Sequence, residues 1–353
     1  MAFLKINNTK IIGLAAAVPS NVKEIVEQEC FSSRDEAERT RDLTHVERTR
    51  IVQDGVCCSD LCFESADKLL NQLGWNREEI DAIAYVSLSR DYLTPPTSCL
   101  LQDRLGLSKE CLAFDLPFAC SGYVYGMSIL SSMISTGNIK KALLLVGETT
   151  SKWQSSRDKT LWPLHGDAGT ATALEYNESA APLYFHLNTD GSRGEAIINV
   201  AGGMRHPITP EDLIEKEVEP GIFRNMVQSS MDGMGVFAFA IKEPGKGISE
   251  LCEHFSLSLE TIDYLLLHQA NKYIDDKIGK KLKVPTEKIP YSIKNYGNTS
   301  AASIPMTMVV GIGQEMQNSV LNVVMCGFGS GLSWGSCYAN LDHVICLPII
   351  EVK

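Results

Sequence analysis

The apolar positions of this chain alternate between short runs and helical stripes. Residues 1–20 are apolar and β-branched up to Pro19 and predict a first strand. Over residues 59–74, Leu61, Phe63, Ala66, Leu69, Leu70 and Leu73 keep helical spacing, and Gly74 is placed to cap the end. Residues 80–88 read as a strand, 92–96 as a turn, and 99–105 as a helix stopping at Gly106. Residues 112–116 read as a buried strand closed by Pro117. Val124, Met127, Ile129, Leu130, Met133 and Ile134 then form a broad apolar helix face. Residues 142–147 and 168–176 predict two more buried strands. Strands and helices alternating at these lengths predict a layered α/β fold.

The same order returns in the second half. Residues 261–268 echo 79–86, and 282–287 echo 105–110. The turn Tyr296-Gly297-Asn298-Thr299-Ser300 echoes the turn at Cys120, and 322–327 echo 143–147, again ending in glycine. The spacings lie between 177 and 182 residues, which predicts an internal duplication. The expected halves are 1–178, carrying a cysteine turn, and 179–353, carrying a histidine and an asparagine. Residues 203–228, rich in proline and acids, read as an insertion, and the charged segment 21–50 as a solvated helix and loop.

Composition narrows the function classes. A net charge of −11 opposes a general nucleic-acid binder or a binder of anionic membranes. Eleven cysteines lack metal-ligand spacing: Cys57, Cys58 and Cys62 cluster, but no second pair follows, so no metal is expected. That cysteine usage suits a reducing, cytoplasmic compartment. No stretch reaches the length of a membrane span, and the apolar run 11–18 is too short for a signal peptide.

The candidate chemistry lies at the ends of matching elements. Cys120 sits in the small-residue turn Ala119-Cys120-Ser121-Gly122 at a helix start, where the helix terminus is expected to favour the thiolate. Its duplicate position is Asn298. His268 closes one predicted strand and opens a helix. A glycine-rich turn, 326–331, follows another and can offer free backbone N–H groups. Alone, each residue has a plain structural explanation: a small core thiol, a satisfied histidine, a turn asparagine, a tight turn. Together they predict a nucleophile, an imidazole, a carboxamide and backbone donors around one crevice.

ACSG at 119–122, HQANKYI at 268–274, YGNTSAASIP at 296–305 and FGSGLSWGS at 328–336 resemble the β-ketoacyl-acyl carrier protein synthase III family of the thiolase superfamily. The likeness runs in order along essentially the whole chain. It implies a five-layered αβαβα fold of two duplicated halves, a homodimer, and a decarboxylating Claisen condensation. By position, it implies that Cys120 carries the acyl group and that His268 and Asn298 bind the malonyl thioester. It also implies an oxyanion hole from the N–H groups of Cys120 and Ser330. The substrates implied are acyl-CoA, acyl carrier protein or both, with no metal or redox cofactor. Leu93 and Pro95, with Phe328, are the expected substrate-tunnel residues, and Lys280 and Lys281 the expected carrier-docking residues. The chain departs from the family pattern at Arg39, where many relatives carry tryptophan. It also departs at Ala238 and Tyr273, where lysine and arginine are usual, and at Ser330, where glycine is usual. These departures point to a specialised pathway. Two other readings use the same site: acyl transfer to a hydroxyl or amine, and a non-catalytic partner subunit.

Overall fold

The structure, a computed structural model, describes residues 2–353. The first half runs β1 (Ala2–Ile6), β2 (Thr9–Pro19), α1 (Arg34–Thr44), α2 (Cys58–Leu73), β3 (Ala82–Val86), α3 (Thr97–Arg104), β4 (Leu112–Leu116), α4 (Gly122–Ile134), β5 (Lys141–Glu148) and β6 (Ala168–Tyr176). The second runs β7 (Leu183–Thr189), the hairpin β8 (Lys216–Glu219) and β9 (Ile222–Arg224), α5 (Gly233–Ala240), α6 (Glu243–Phe255), β10 (Tyr264–Leu267) and α7 (Lys272–Leu282). It closes with α8 (Ser303–Asn318), β11 (Val320–Gly329), β12 (Ser333–Asp342), β13 (Ile345–Cys346) and β14 (Ile350–Val352). Shorter strands and turns link these elements.

Local sequence explains the ends of the helices. In α2, the Asp60 carboxylate accepts from the Cys57 N–H at 2.7 Å, and Gly74 closes the helix at φ 63°. Asn271 caps α7 by accepting from the Ile274 N–H at 2.9 Å. The helix therefore starts at Lys272, later than the histidine expected to open it.

One sheet has the order β4-β3-β5-β6-β2, with β13 and β14 beside β2. The other has the order β10-β11-β12-β7-β1. Within them, β3-β5-β6-β2 and β10-β11-β12-β7 share one pattern: a parallel pair, then two antiparallel pairs. The duplication is thus visible in topology, where sequence identity is faint. Helices α4 and α8 lie between the sheets and are buried on most sides, sharing one core with both. In α4, a Cβ at Gly122 or Gly126 would meet Val86 at 2.7 or 2.9 Å, so small residues set how closely that helix packs on β3. Helices α2 and α3 cover the outer face of the first sheet, and α6 and α7 that of the second. The result is five layers, αβαβα.

Two expectations are corrected. Residues 1–20 form two strands: Asn8, at φ 62°, turns the chain, and β1 leaves for the second sheet while β2 stays in the first. The run 112–116 is an edge strand, half-buried, with Leu112 42% exposed. Among the described residues, no strand pairs with its outer edge. The 178/179 boundary falls in the connection between β6 and β7.

Candidate active site

Cys120 sits between β4 and α4, two residues before the helix begins. The turn closes through the Gly122 N–H, which donates to the Ala119 carbonyl at 2.7 Å. The end of β11 packs against it. A Cβ on Gly329 would lie 2.6 Å from the Cys120 Cβ and 2.8 Å from its Sγ, so only glycine permits this approach. Three serines lock the two turns together. Ser121 Oγ and Ser333 Oγ are 2.7 Å apart, and Ser333 Oγ donates to the Ser330 carbonyl at 2.8 Å.

The helix terminus does not win at the thiol. Burial pushes Cys120 up to about 11. Contact with Ser300 and the backbone groups of Cys120 and Ser330 pull the other way, while Glu148 adds to the rise. The expectation of a thiolate favoured in the resting site is therefore corrected. Cys120 rests as a thiol, with Sγ 3.8 Å from Ser300 Oγ.

His268 directly follows β10, and its N–H donates to the Cys326 carbonyl at 2.9 Å. Its Nδ1 lies 2.7 Å from Ser303 Oγ, and its ring stands edge-on to Phe328 at 5.3 Å. Burial first and nearby His165 second lower its pKa to about 3, against the opposing pull of a Ser300 backbone contact. The imidazole is neutral at physiological pH. A Ser303 hydroxyl donating to Nδ1 leaves Nε2 carrying the proton. Gln269 ties this corner together: its amide donates to Leu267 and Asp275 and accepts from Ser292.

Asn298 is bridged to the first half. Its N–H donates to Leu164 at 2.8 Å and its carbonyl accepts from Gly166 at 3.1 Å. Its Oδ1 accepts from the Ser300 N–H at 2.9 Å, which leaves Nδ2 as the donor on a side chain that lines the cavity.

Cys120, His268, Asn298, Phe328 and Ser330 all line one cavity of about 650 Å³, built from both halves. Leu93 and Pro95 do not line it within this chain; both are exposed, Leu93 by 66%. Lys280 and Lys281 are exposed at the C-terminal end of α7. Sequence alone assigns no role to Ser300 or Ser303. Nor does it mark the cavity wall formed by 197–203 and 229–233. Ser300 and Ser303 lay within the quoted 296–305 motif, so adjacency to Asn298 was the available signal.

The family model for 3-Oxoacyl-[acyl-carrier-protein (ACP)] synthase III matches residues 114–191, and that for its C terminal matches 252–341. The chain is 35% identical over 336 residues to the beta-ketoacyl-[acyl-carrier-protein] synthase III of Clostridium perfringens, covering 95% of this chain and 99% of that one. The crystal structure of 3-oxoacyl-(acyl-carrier protein) synthase from Burkholderia xenovorans superposes with a TM-score of 0.93. It is 31% identical and covers 99% of both chains. The 3-oxoacyl-(acyl carrier protein) synthase III of Pseudomonas aeruginosa superposes at 0.81 with 28% identity, covering 96% of this chain and all of the other.

Proposed function

The chain belongs to the 3-oxoacyl-acyl-carrier-protein synthase III family, and from that membership we propose that it catalyses a decarboxylating condensation on Cys120. The observation that carries the proposal is the set of three around one cavity: a thiol, a neutral imidazole and a carboxamide whose oxygen is already engaged. Cys120 attacks an acyl thioester, its S–C bond forms, and the departing thiol leaves with the proton. The N–H groups of Cys120 and Ser330 are the donors for the tetrahedral oxyanion. The malonyl thioester then loses carbon dioxide. The electron pair moves onto the thioester oxygen, where His268 Nε2–H and Asn298 Nδ2–H donate to it. A neutral donor suits this step, because the pair must return to carbon. That carbon attacks the Cys120 thioester, and the Cys120 sulfur leaves. The steps so written use no metal or redox group.

Cys120→Ala abolishes self-acylation, read as the loss of an acyl adduct by intact mass. His268→Ala and Asn298→Ala keep the adduct but lose carbon dioxide release from malonyl-carrier. If neither loses it, the roles assigned to them are wrong. Transfer to a hydroxyl or amine would leave the Asn298 amide without a task.

Three further assignments belong to this reading. The acyl group runs toward a homodimer contact, where the partner's loop at Leu93 and Pro95 closes the tunnel. Self-acylation profiles of Leu93→Ala across acyl lengths test this, and an unchanged profile removes the loop from the tunnel. The carrier docks beside Lys280 and Lys281. Lys272 is already paired with Asp276 at 2.7 Å, which leaves Lys277, Lys280 and Lys281 as the exposed cations of α7. Changing both to Glu raises the KM for carrier substrate most at low salt; an unchanged salt dependence rejects the site. The compartment is cytoplasmic, in keeping with eleven unpaired cysteines.

A further inference from the structure

The cavity around Cys120 holds one full positive charge, and nothing in the condensation just described uses it. Arg90 lines the cavity and is exposed to it, and no Asp, Glu, Lys or other Arg does so. Its position follows from strand register. β3 and β4 run parallel, with Val86 beside Leu116. Arg90 and Cys120 each lie four residues past that pair, on neighbouring loops.

The backbone that presents Arg90 is pinned on both sides. The Leu88 N–H donates to Glu148 Oε1 at 2.7 Å and Ser89 Oγ donates to Glu148 Oε2 at 2.8 Å. The Tyr85 hydroxyl donates to the Ser89 carbonyl at 2.9 Å, and the Asp91 N–H to Thr97 Oγ1 at 3.1 Å. Tyr85 and Glu148 are buried, so this is a built loop rather than a floppy one. Of Asp91, Asp115 and Glu148, Asp91 alone keeps a carboxyl oxygen without a partner, the buried Oδ1. Asp91 accepts from Ser59 at 2.8 Å, Asp115 takes the N–H groups of Thr97 and Ser98, and Glu148 holds the loop itself. Among the described residues no carboxylate pairs with the Arg90 guanidinium.

A substrate that fills the cavity strips water from that cation. With a methyl-ended acyl chain the charge is left desolvated and unpaired, which costs affinity; with an anionic chain end it is paired. The extender is a poor candidate for this anion. Pairing a guanidinium with the malonyl carboxylate would stabilise the ground state and oppose loss of carbon dioxide. We propose that Arg90 selects an acyl group ending in a carboxylate, so that the acyl donor is the mono-thioester of a short dicarboxylic acid. The proposal rests on acylation of Cys120 as described above.

The test compares two four-carbon donors, succinyl-CoA and butyryl-CoA, by the rate of adduct formation on Cys120 in intact-mass spectra. The wild type favours succinyl by at least about tenfold. Arg90→Leu lowers that ratio by a similar factor, and Arg90→Lys retains part of it. The side chain is exposed, so both variants are expected to fold. Equal rates for the two donors in the wild type overturn the proposal. So does a ratio unchanged in Arg90→Leu. An equal rise in KM for both donors assigns the guanidinium to the CoA phosphates and also overturns it. Failure of every acyl-CoA to modify Cys120 would instead strike the acylation step itself.

Discussion

His268 and Glu148 are both buried without their charge, and they bend the pH dependence of stability in opposite directions. His268 is depressed from 6.5 to about 3, so its contribution is whole above 6.5 and is lost as pH falls toward 3. Glu148 is raised by burial from 4.5 to about 8, so its contribution is whole below 4.5 and is lost as pH climbs through 8. Glu148→Gln keeps an acceptor for Leu88 and offers a donor to Ser89, yet cannot ionise. The thermal midpoint of the wild type is expected to fall between pH 5 and 8, and that of Glu148→Gln to fall by several degrees less. Parallel curves from scanning calorimetry would mean that Glu148 is not the group holding the proton. The three candidate residues were legible because Cys120 and Asn298 fall at matching element ends and His268 follows a strand, and all three line one cavity. Ser300 and Ser303 were not, since a hydroxyl carries no pattern of its own, and its role appears only when the fold brings it to Cys120 or His268. The thiol's ionisation was misread for a related reason. A helix terminus can be read from sequence, but the burial that outweighs it cannot.

At the scale of elements, the site depends on how closely β11 approaches the turn before α4. Gly329→Ala inserts a methyl group 2.6 Å from the Cys120 Cβ and 2.8 Å from its Sγ, so the cysteine itself must shift. Self-acylation should drop by about a hundredfold, because small displacements of a reacting atom are costly. The thermal midpoint should change little beside that. An adduct rate within a few fold of wild type would show that the turn can open without harm. Most elements were legible from apolar spacing, among them α2 with its Gly74 cap and the buried strand β5. The expectation of a single strand over 1–20 overlooked the polar run Asn7-Asn8-Thr9-Lys10, within which the backbone turns at Asn8. Spacing also made β4 look interior. An apolar run does not tell an edge strand from an interior one.

For the whole molecule, each half borrows its sheet edge from the far end of the sequence. β1 lies against β7 in the second sheet, while β13 and β14 lie against β2 in the first. Residues 1–178 and 179–353 expressed separately should each expose an unpaired strand and aggregate or stay partly unfolded. Produced together, they should recover a soluble complex that acylates Cys120. Two halves that each fold alone would show that the borrowed edges are ornamental. The crossing also sets a timetable for biosynthesis. As the chain emerges, β1 meets no partner strand until residues 183–189 follow it, about 180 positions later. The edge of the first sheet beside β2 stays open until residues 345–352 appear. A ribosome that stalls midway therefore leaves an open edge, and Cys120 waits with it for His268 and Asn298.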